Sequence, residues 1–438
     1  MNKIQQLIQQ YCPNGVEFKE LQEVFDIKNG YTPSKSNSEF WENGTIPWFR
    51  MEDIRANGRV LSDSIQHITP ESVKGSGLFA ANSIIVSTSA TIGEHALITV
   101  DFLANQRFTC LTRKSDYTDR LDMLFFQNYM FLVDEWCKNN INISGFAGVD
   151  MPKFKKLKIP IPPIAVQQEI AYILDSFTQL EAELEAELEA RRAQYEYYRN
   201  RLLSATELNG KWLMNGVEVE WKTLGEVISA LRTGLNPRQN FKLNNAEAKN
   251  FYVTVRELNG FTIKITDKTD KVDSLGLKLI QNRSKIQIGD ILFSGTGTIG
   301  RTALVNDFPN NWNIKEGIYV LTPITNIINA KFLIYLLQSS NIYNQIIAKA
   351  DGSTVSSISM ASLQKIQIPI PPLAEQERIV GILDKFDALV NDISIGLPAE
   401  IDGRRKQYNY YRGKLLDFKP VVSDKRLVVN ENPLNTNH

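Results

Sequence analysis

The feature that most constrains this 438-residue chain is a segment it writes twice. IPIPPIAVQQEIAYILDSFTQLEAELEAELEARRAQYEYYRNRLL, residues 159–203, returns as IPIPPLAEQERIVGILDKFDALVNDISIGLPAEIDGRRKQYNYYRGKLL at 368–416. The first half of each copy aligns at a shift of 209 and the second half at 213, so the second copy carries four extra residues. Each copy opens with a proline-rich lead-in that must be extended, because proline lacks an N–H and pushes its predecessor out of the helical region. An amphipathic helix follows. Its stripe in the first copy runs Ile170, Ile173, Phe177, Leu180, Leu184, Leu188, the stem of Arg191, Tyr195, Tyr198 and Leu202. Steps of three and four with one extra four are the pattern of a coiled-coil seam containing a stutter. The second stripe is Ile379, Ile382, Phe386, Leu389, Ile393, Leu397, Ile401, Tyr408, Tyr411 and Leu415. Two repeats that each keep a seam are most simply two helices packed on one another. Gly396, Pro398 and Gly403 stand against continuity in the second copy and predict a break near Gly396, with Pro398 in the first turn of a resumed helix.

Between the helices lie two blocks that share a plan. VEFKELQEV at 16–24 is matched by VEWKTLGEV at 219–227, IIVSTSATIGEHALI by ILFSGTGTIGRTALV, and RFTCLT by GIYVLT. The helical DRLDMLFFQNYM, packed through Leu121, Leu124, Phe125, Tyr129 and Leu132, is answered by NAKFLIYLLQSSNIYNQI, and the loop SGFAG by DGSTVSS. Between these anchors the blocks diverge: YTPSKSNSEFWENGTIPW has no clear counterpart in the second block. The chain therefore divides into a block at 1–158, a helical spacer at 159–206, a second block at 207–367, a second spacer at 368–418 and a tail at 419–438. The expected fold class is α+β: two α/β domains with a small mixed sheet, separated by two long antiparallel coiled-coil helices in a pseudo-two-fold tandem repeat. Equivalent spacers imply two equivalent docking surfaces, and divergent blocks on one scaffold imply two readers of different things. Duplex DNA is the obvious two-fold ligand.

Charge alone does not argue for DNA, since 49 basic residues balance 49 acidic ones. The only local excess of positive charge is in 207–367, with 18 basic and 13 acidic residues. Local arrangement, or a partner that brings positive charge, must supply any contact. Three cysteines without CxxC spacing and three scattered histidines support neither a disulfide framework nor a metal site. With no apolar leader and no run approaching ~18 apolar residues, the chain reads as a soluble cytoplasmic protein.

GTGTIG at 295–300 fits a dinucleotide fingerprint, but RTALV after it reads as a strand, so the string reads as a hairpin turn. No phosphate loop, serine elbow or HExxH motif occurs. Candidates for DNA contact are Lys35, Arg50, Arg55, Ser87, Thr88, Ser89, Gln106 and Arg107 in the first block. In the second they are Arg232, Arg238, Gln239, Arg256, Ser294, Thr296, Thr298 and Lys315. Arginine and lysine suit guanine, glutamine suits adenine, and serine or threonine suits base or phosphate. Helix packing and partner docking fall to Phe177, Leu180, Leu184, Leu188, Arg191, Tyr195, Tyr198, Phe386, Leu389, Arg404, Tyr408 and Tyr411. For Arg191 and Arg192, with Arg404 and Arg405, three roles are ranked: capping the acidic face of the opposite helix, binding a partner, and touching phosphate.

The repeated IPIPPxxxQxxIxxILDxF and RRxQYxYYRxxLL strings, the EFKELQEV and EWKTLGEV openings and the TIG hairpins resemble the specificity subunit of bacterial type I restriction-modification enzymes, over roughly residues 14–418. The resemblance implies target recognition domains that each read one half of a split DNA site. It implies helices that dock two methyltransferase (modification) subunits, with endonuclease/translocase (restriction) subunits joining the full complex. It also implies no catalytic activity in this chain, which needs no cofactor of its own; S-adenosylmethionine, ATP and Mg belong to the partners. About 37 helical residues span ~55 Å, against ~34 Å per DNA turn, so two readers so spaced reach successive major grooves. The rival readings are a recognition subunit serving a fused endonuclease-methyltransferase and, in a different class, a coiled-coil scaffold that binds no DNA.

Overall fold

The computed structural model describes residues 3–421 apart from Ser76, 143–146, Gln239, 352–355 and Ile393. It forms two compact units, one made of residues 1–183 and 401–438 and the other of residues 184–400.

Both units start from the same ribbon. Glu17–Glu20 pairs antiparallel with Lys158–Ile161, placing Phe18 opposite Pro160. Glu220–Thr223 pairs with Gln367–Ile370, placing Trp221 opposite Pro369. The proline-rich lead-ins are thus strands of two-stranded ribbons, where a residue without an N–H is tolerated. A single helical turn follows in each unit, Leu21–Val24 and Leu224–Val227, burying its leucine and valine.

The main sheet of the first unit has five strands in the order Phe25–Asn29, Phe108–Arg113, Ser83–Ser87, His95–Ile98, Val60–Leu61, the last pair parallel. The second unit keeps four of these, Ile228–Thr233, Ile318–Pro323, Ile291–Ser294 and Thr302–Leu304. The register is equivalent: Ile85 faces Ala96 and Cys110, and Leu292 faces Ala303 and Val320. A smaller mixed sheet lies beside each. Ile46–Phe49 runs parallel to Leu103–Ala104 and antiparallel to His67–Ile68. Asn250–Val253 does the same with Trp312–Ile314 and Lys271–Val272.

Met123–Asn139 packs on the first main sheet through Phe125, Phe126, Tyr129, Met130 and Val133. Leu124, expected in that core, is 44% exposed, because the buried arc turns onto Phe126 and Met130 instead. Its counterpart in the second unit is Ala330–Gln338, continued by Ser340–Ala348.

The first long helix is continuous over Ile164–Leu202. The second copy is two helices, Leu373–Asn391 and Leu397–Leu415. The break falls where expected: a Cβ on Gly396 would lie 2.4 Å from the Ala388 carbonyl oxygen, and Pro398 sits in the first turn of the resumed helix. Gly403 does not interrupt that helix.

Each unit contains the start of one helix copy and the end of the other. In the first, Phe177 stacks on Tyr411 at 5.6 Å and Arg405 pairs with Glu181, so the segments run antiparallel. In the second, Phe386 stacks on Tyr198 at 5.5 Å, the same pair with the copies exchanged. Seam positions Leu180 and Leu389 are 45% and 38% exposed, and so lie outside the packing they were expected to join.

The glutamine of the repeat anchors each helix to its block. Gln167 is fully buried; it accepts from Asp122 N at 2.7 Å and donates to the Arg120 and Pro162 carbonyls. Gln376, also fully buried, accepts from Asn329 N at 2.8 Å and donates to the Ile327 and Pro371 carbonyls.

Two segments were not anticipated. A three-stranded meander, Thr206–Leu208, Lys211–Met214 and Val217–Glu218, precedes the ribbon of the second unit. In the first unit Phe418 is buried and Val16 exchanges backbone hydrogen bonds with Lys419 and Val421, so the tail begins as part of that core.

Candidate nucleic-acid interface

The TIG strings form equivalent hairpin turns. Gly93 N donates to Ser87 O at 3.1 Å, and Gly300 N to Ser294 O at 2.9 Å. Ala90 (φ 64°) and Gly297 (φ 78°) hold the same left-handed position. GTGTIG therefore leads into the strand Thr302–Leu304 rather than a helix, the wrong context for a dinucleotide fold. Each tip is braced by the loop preceding the helical lead-in: Val149 N donates to Thr88 O at 2.9 Å, and Ile358 N to Gly295 O at 2.9 Å. Most of the SGFAG and DGSTVSS loops themselves lies outside the described residues.

Burial sorts the candidate contacts. Ser87, Thr88 and Ser294 are buried; the Ser87 and Ser294 hydroxyls donate within their hairpins, to Ser89 O and Thr298 O, and the Thr88 hydroxyl bonds to Thr109 Oγ1 on the neighbouring strand. They build the turns and cannot reach a base, which corrects their assignment. Arg232 is corrected likewise: it pairs at 3.0 Å with Asp290, whose side chain is 1% exposed, and donates to Thr322 Oγ1. Ser89 is half-buried. The exposed set is Lys35, Arg55, Gln106 and Arg107 in the first unit and Arg238, Arg256, Thr296, Thr298 and Lys315 in the second. Gln106 bonds to Thr32, and Arg256 is tied to Asp270 at 2.8 Å. Gln239 lies outside the described residues.

Arg50 is half-buried in a pocket with Trp41 and Trp48, two aromatic residues that residue-type reasoning passed over. The signal was present: two of the chain's six tryptophans fall within the divergent segment just before Arg50.

On the helices, Tyr195 is buried, and burial together with the neighbouring Asp387 pushes its phenol up from the ordinary tyrosine range. Tyr198, Phe386 and Tyr408 are half-buried, and Leu188 is buried. Leu184 is half-buried. Arg191 pairs along its own helix with Glu187, and Arg192 with Glu189, whereas Arg405 reaches Glu181 on the opposite helix. Arg404 bonds to Gln407 on its own helix. Tyr197 and Tyr410, equivalent positions in the YEYYR and YNYYR strings, stay 56% and 61% exposed. Each is packed edge-on against the following tyrosine at 5.4 Å.

The profile of the type I restriction modification DNA specificity domain matches this chain twice, over residues 13–190 and 216–402. The chain belongs to that family. The EcoprrI specificity subunit of Escherichia coli is 40% identical to it over 390 residues, covering 86% of this chain and 89% of that protein. A putative type I specificity subunit of Haemophilus influenzae is 31% identical over 423 residues, covering 92% and 96%. A chain solved in work on assembly and conformational transition of the type I restriction-modification system shares the fold, with a TM-score of 0.62 at 15% identity and 92% and 98% coverage. The chain holds two copies of the family domain; each copy carries one hairpin and one lead-in ribbon. Among its described residues no helix is long and apolar enough to cross a membrane.

Proposed function

We propose that this chain is the DNA-reading subunit of a cytoplasmic type I restriction-modification complex, each unit reading one half of a bipartite site. The observation that carries the reading is the pairing of two scaffolds, equivalent in register and turn geometry, whose exposed residues differ in the turn that leads into the central strand: Gln106 and Arg107 before Phe108–Arg113, Lys315 and Glu316 before Ile318–Pro323. One scaffold with two sets of polar side chains suits two different base sequences.

The helices set the gap between the half-sites and dock two copies of one methyltransferase subunit. Support comes from Tyr197 and Tyr410, exposed at repeat-equivalent positions, because an amphipathic aromatic left on the surface twice suits two identical partner surfaces. The chain itself performs no chemistry. Restriction subunits complete the complex, and S-adenosylmethionine, ATP and Mg²⁺ serve the partners' reactions.

The test is to co-express the chain with its neighbouring methyltransferase and map modified bases across the host genome. One bipartite motif, lost when this chain is omitted, is the expected result. A stable complex that modifies no defined motif would overturn the DNA-reading function while leaving the docking intact.

A further inference from the structure

Beside the smaller sheet of the first unit is a cavity of about 370 Å³ lined by Trp41, Trp48, Arg50, Lys35, Glu42 and Gln66. Its floor is rigid. The Trp48 indole is 1% exposed, donates to the Tyr31 carbonyl at 3.0 Å and packs edge-on against Trp41 at 4.9 Å. The Arg50 guanidinium lies over the Trp48 ring at 5.7 Å. Its backbone is fixed as well: Arg50 N donates to Asp53 Oδ2 at 2.6 Å, and the fully buried Asp53 also accepts from Ile65 N. Its charge is only loosely matched, with Glu52 at 3.9 Å, and among the described residues its buried Nε has no hydrogen-bond partner. Here is an arginine held in place by its backbone and by a cation–π seat, with donor capacity unspent.

The second unit has the same socket, filled differently. Tyr252 donates to the Leu235 carbonyl at 2.8 Å, as Trp48 does to Tyr31, and Phe241 packs edge-on against Tyr252 at 5.7 Å. Thr254 N donates to the buried Glu257 at 2.7 Å, as Arg50 N does to Asp53. Yet the helix Ser274–Ser284 closes over this aromatic pair: a Cβ on Gly276 would fall 3.1 Å from Phe241. The Thr254 hydroxyl is spent on Glu257, and the nearby arginine, Arg256, is held by Asp270.

We propose that the Arg50 pocket takes the Hoogsteen edge of a guanine in the half-site read by the first unit, and that Arg50 selects that base. Guanine presents two acceptors, O6 and N7, to a forked donor, whereas adenine turns a donor toward it at N6. The indole walls exclude water, which strengthens the charged hydrogen bonds. Glu42 in the lining and Glu52 beside Arg50 offset the positive charge of Lys35 and Arg50, so the pocket offers phosphate no net excess of charge, which favours a base edge.

This inference rests on the DNA-reading function above, and the experiment separates the two. The complex of the full chain with its methyltransferase is used to select from a library randomised in both half-sites, with Arg50→Ala and Trp41→Ala variants alongside wild type. Arg50→Ala is expected to lose discrimination at one guanine of one half-site, by about 5- to 150-fold. The other half-site should keep its full preference, which also reports that the variant is folded. Trp41→Ala, which leaves Arg50 in place, should weaken discrimination at the same position by a smaller factor. An equal loss on all sequences would make Arg50 a phosphate contact and overturn the proposal, as would unchanged specificity or a first half-site without guanine. Failure of the wild-type complex to select any motif would instead sink the DNA-reading function itself.

Discussion

The two units share a ribbon, a hairpin turn, a glutamine anchor and an aromatic helix clasp, and differ in what covers the smaller sheet. In the first unit one 3₁₀ turn, Pro70–Ser72, follows the third strand of that sheet; in the second an eleven-residue helix, Ser274–Ser284, occupies the same place. Positions that hold the scaffold repeat down to individual hydrogen bonds. Positions at the rim vary in residue type, in burial and in pairing. A duplicated recognition protein can change what it reads without changing how it folds, because the stabilising bonds and the exposed side chains belong to different residues.

The comparison can be broken most decisively at the helices. Inserting one LEAE quartet at Leu184 adds about 6 Å of helix, under two base pairs. Mapping of modified bases should show a longer gap between unchanged half-sites; a change in either half-site would end the division into spacers and readers. Next in size, removing a glutamine anchor leaves a buried N–H and two carbonyls unpaired. Gln167→Ala and Gln376→Ala should each lower stability by about 3 kcal/mol or more, read by denaturant unfolding. Similar losses are expected from both, and a large loss from only one would show that the anchors are not equivalent.

Arg232 and Arg256 divide structure from reading. Arg232→Ala strands the buried Asp290 and should cost about 3 kcal/mol in stability with base preference unchanged. Arg256→Ala should leave the melting temperature nearly unchanged and weaken or alter only the half-site read by the second unit, by about 1 to 3 kcal/mol if the contact is to a base edge. Equal weakening on every sequence would make Arg256 a phosphate contact.

The smallest effect concerns Glu375, whose counterpart in the first copy is the buried Val166. Arg378, and after it Asn215, hold its carboxyl below the ordinary glutamate range. A depressed carboxyl stabilises the fold above its unfolded pKa and loses that contribution as pH falls through the folded one. Glu375→Gln should therefore lower the melting temperature slightly at pH 7, and the difference from wild type should vanish toward pH 3. A difference independent of pH would assign the effect to packing.

Much of this architecture is written in local pattern. The 3.6-residue stripe, the proline-rich lead-ins, Gly396 with Pro398, and the strand after GTGTIG follow from backbone preferences and periodicity, which neighbouring residues set among themselves. The duplication made the two-reader plan legible without any structure. The tertiary structure alone decided which of several chemically alike residues face outward. Ser294 and Thr298 lie four residues apart in one turn, yet one is buried as a brace and the other exposed. It also decided that the start of each helix copy clasps the end of the other, Phe177 on Tyr411 and Phe386 on Tyr198, and that Tyr31, Trp48 and Asp53 converge beneath Arg50. Such choices depend on partners brought together by folding from distant parts of the chain, and no window of sequence contains them.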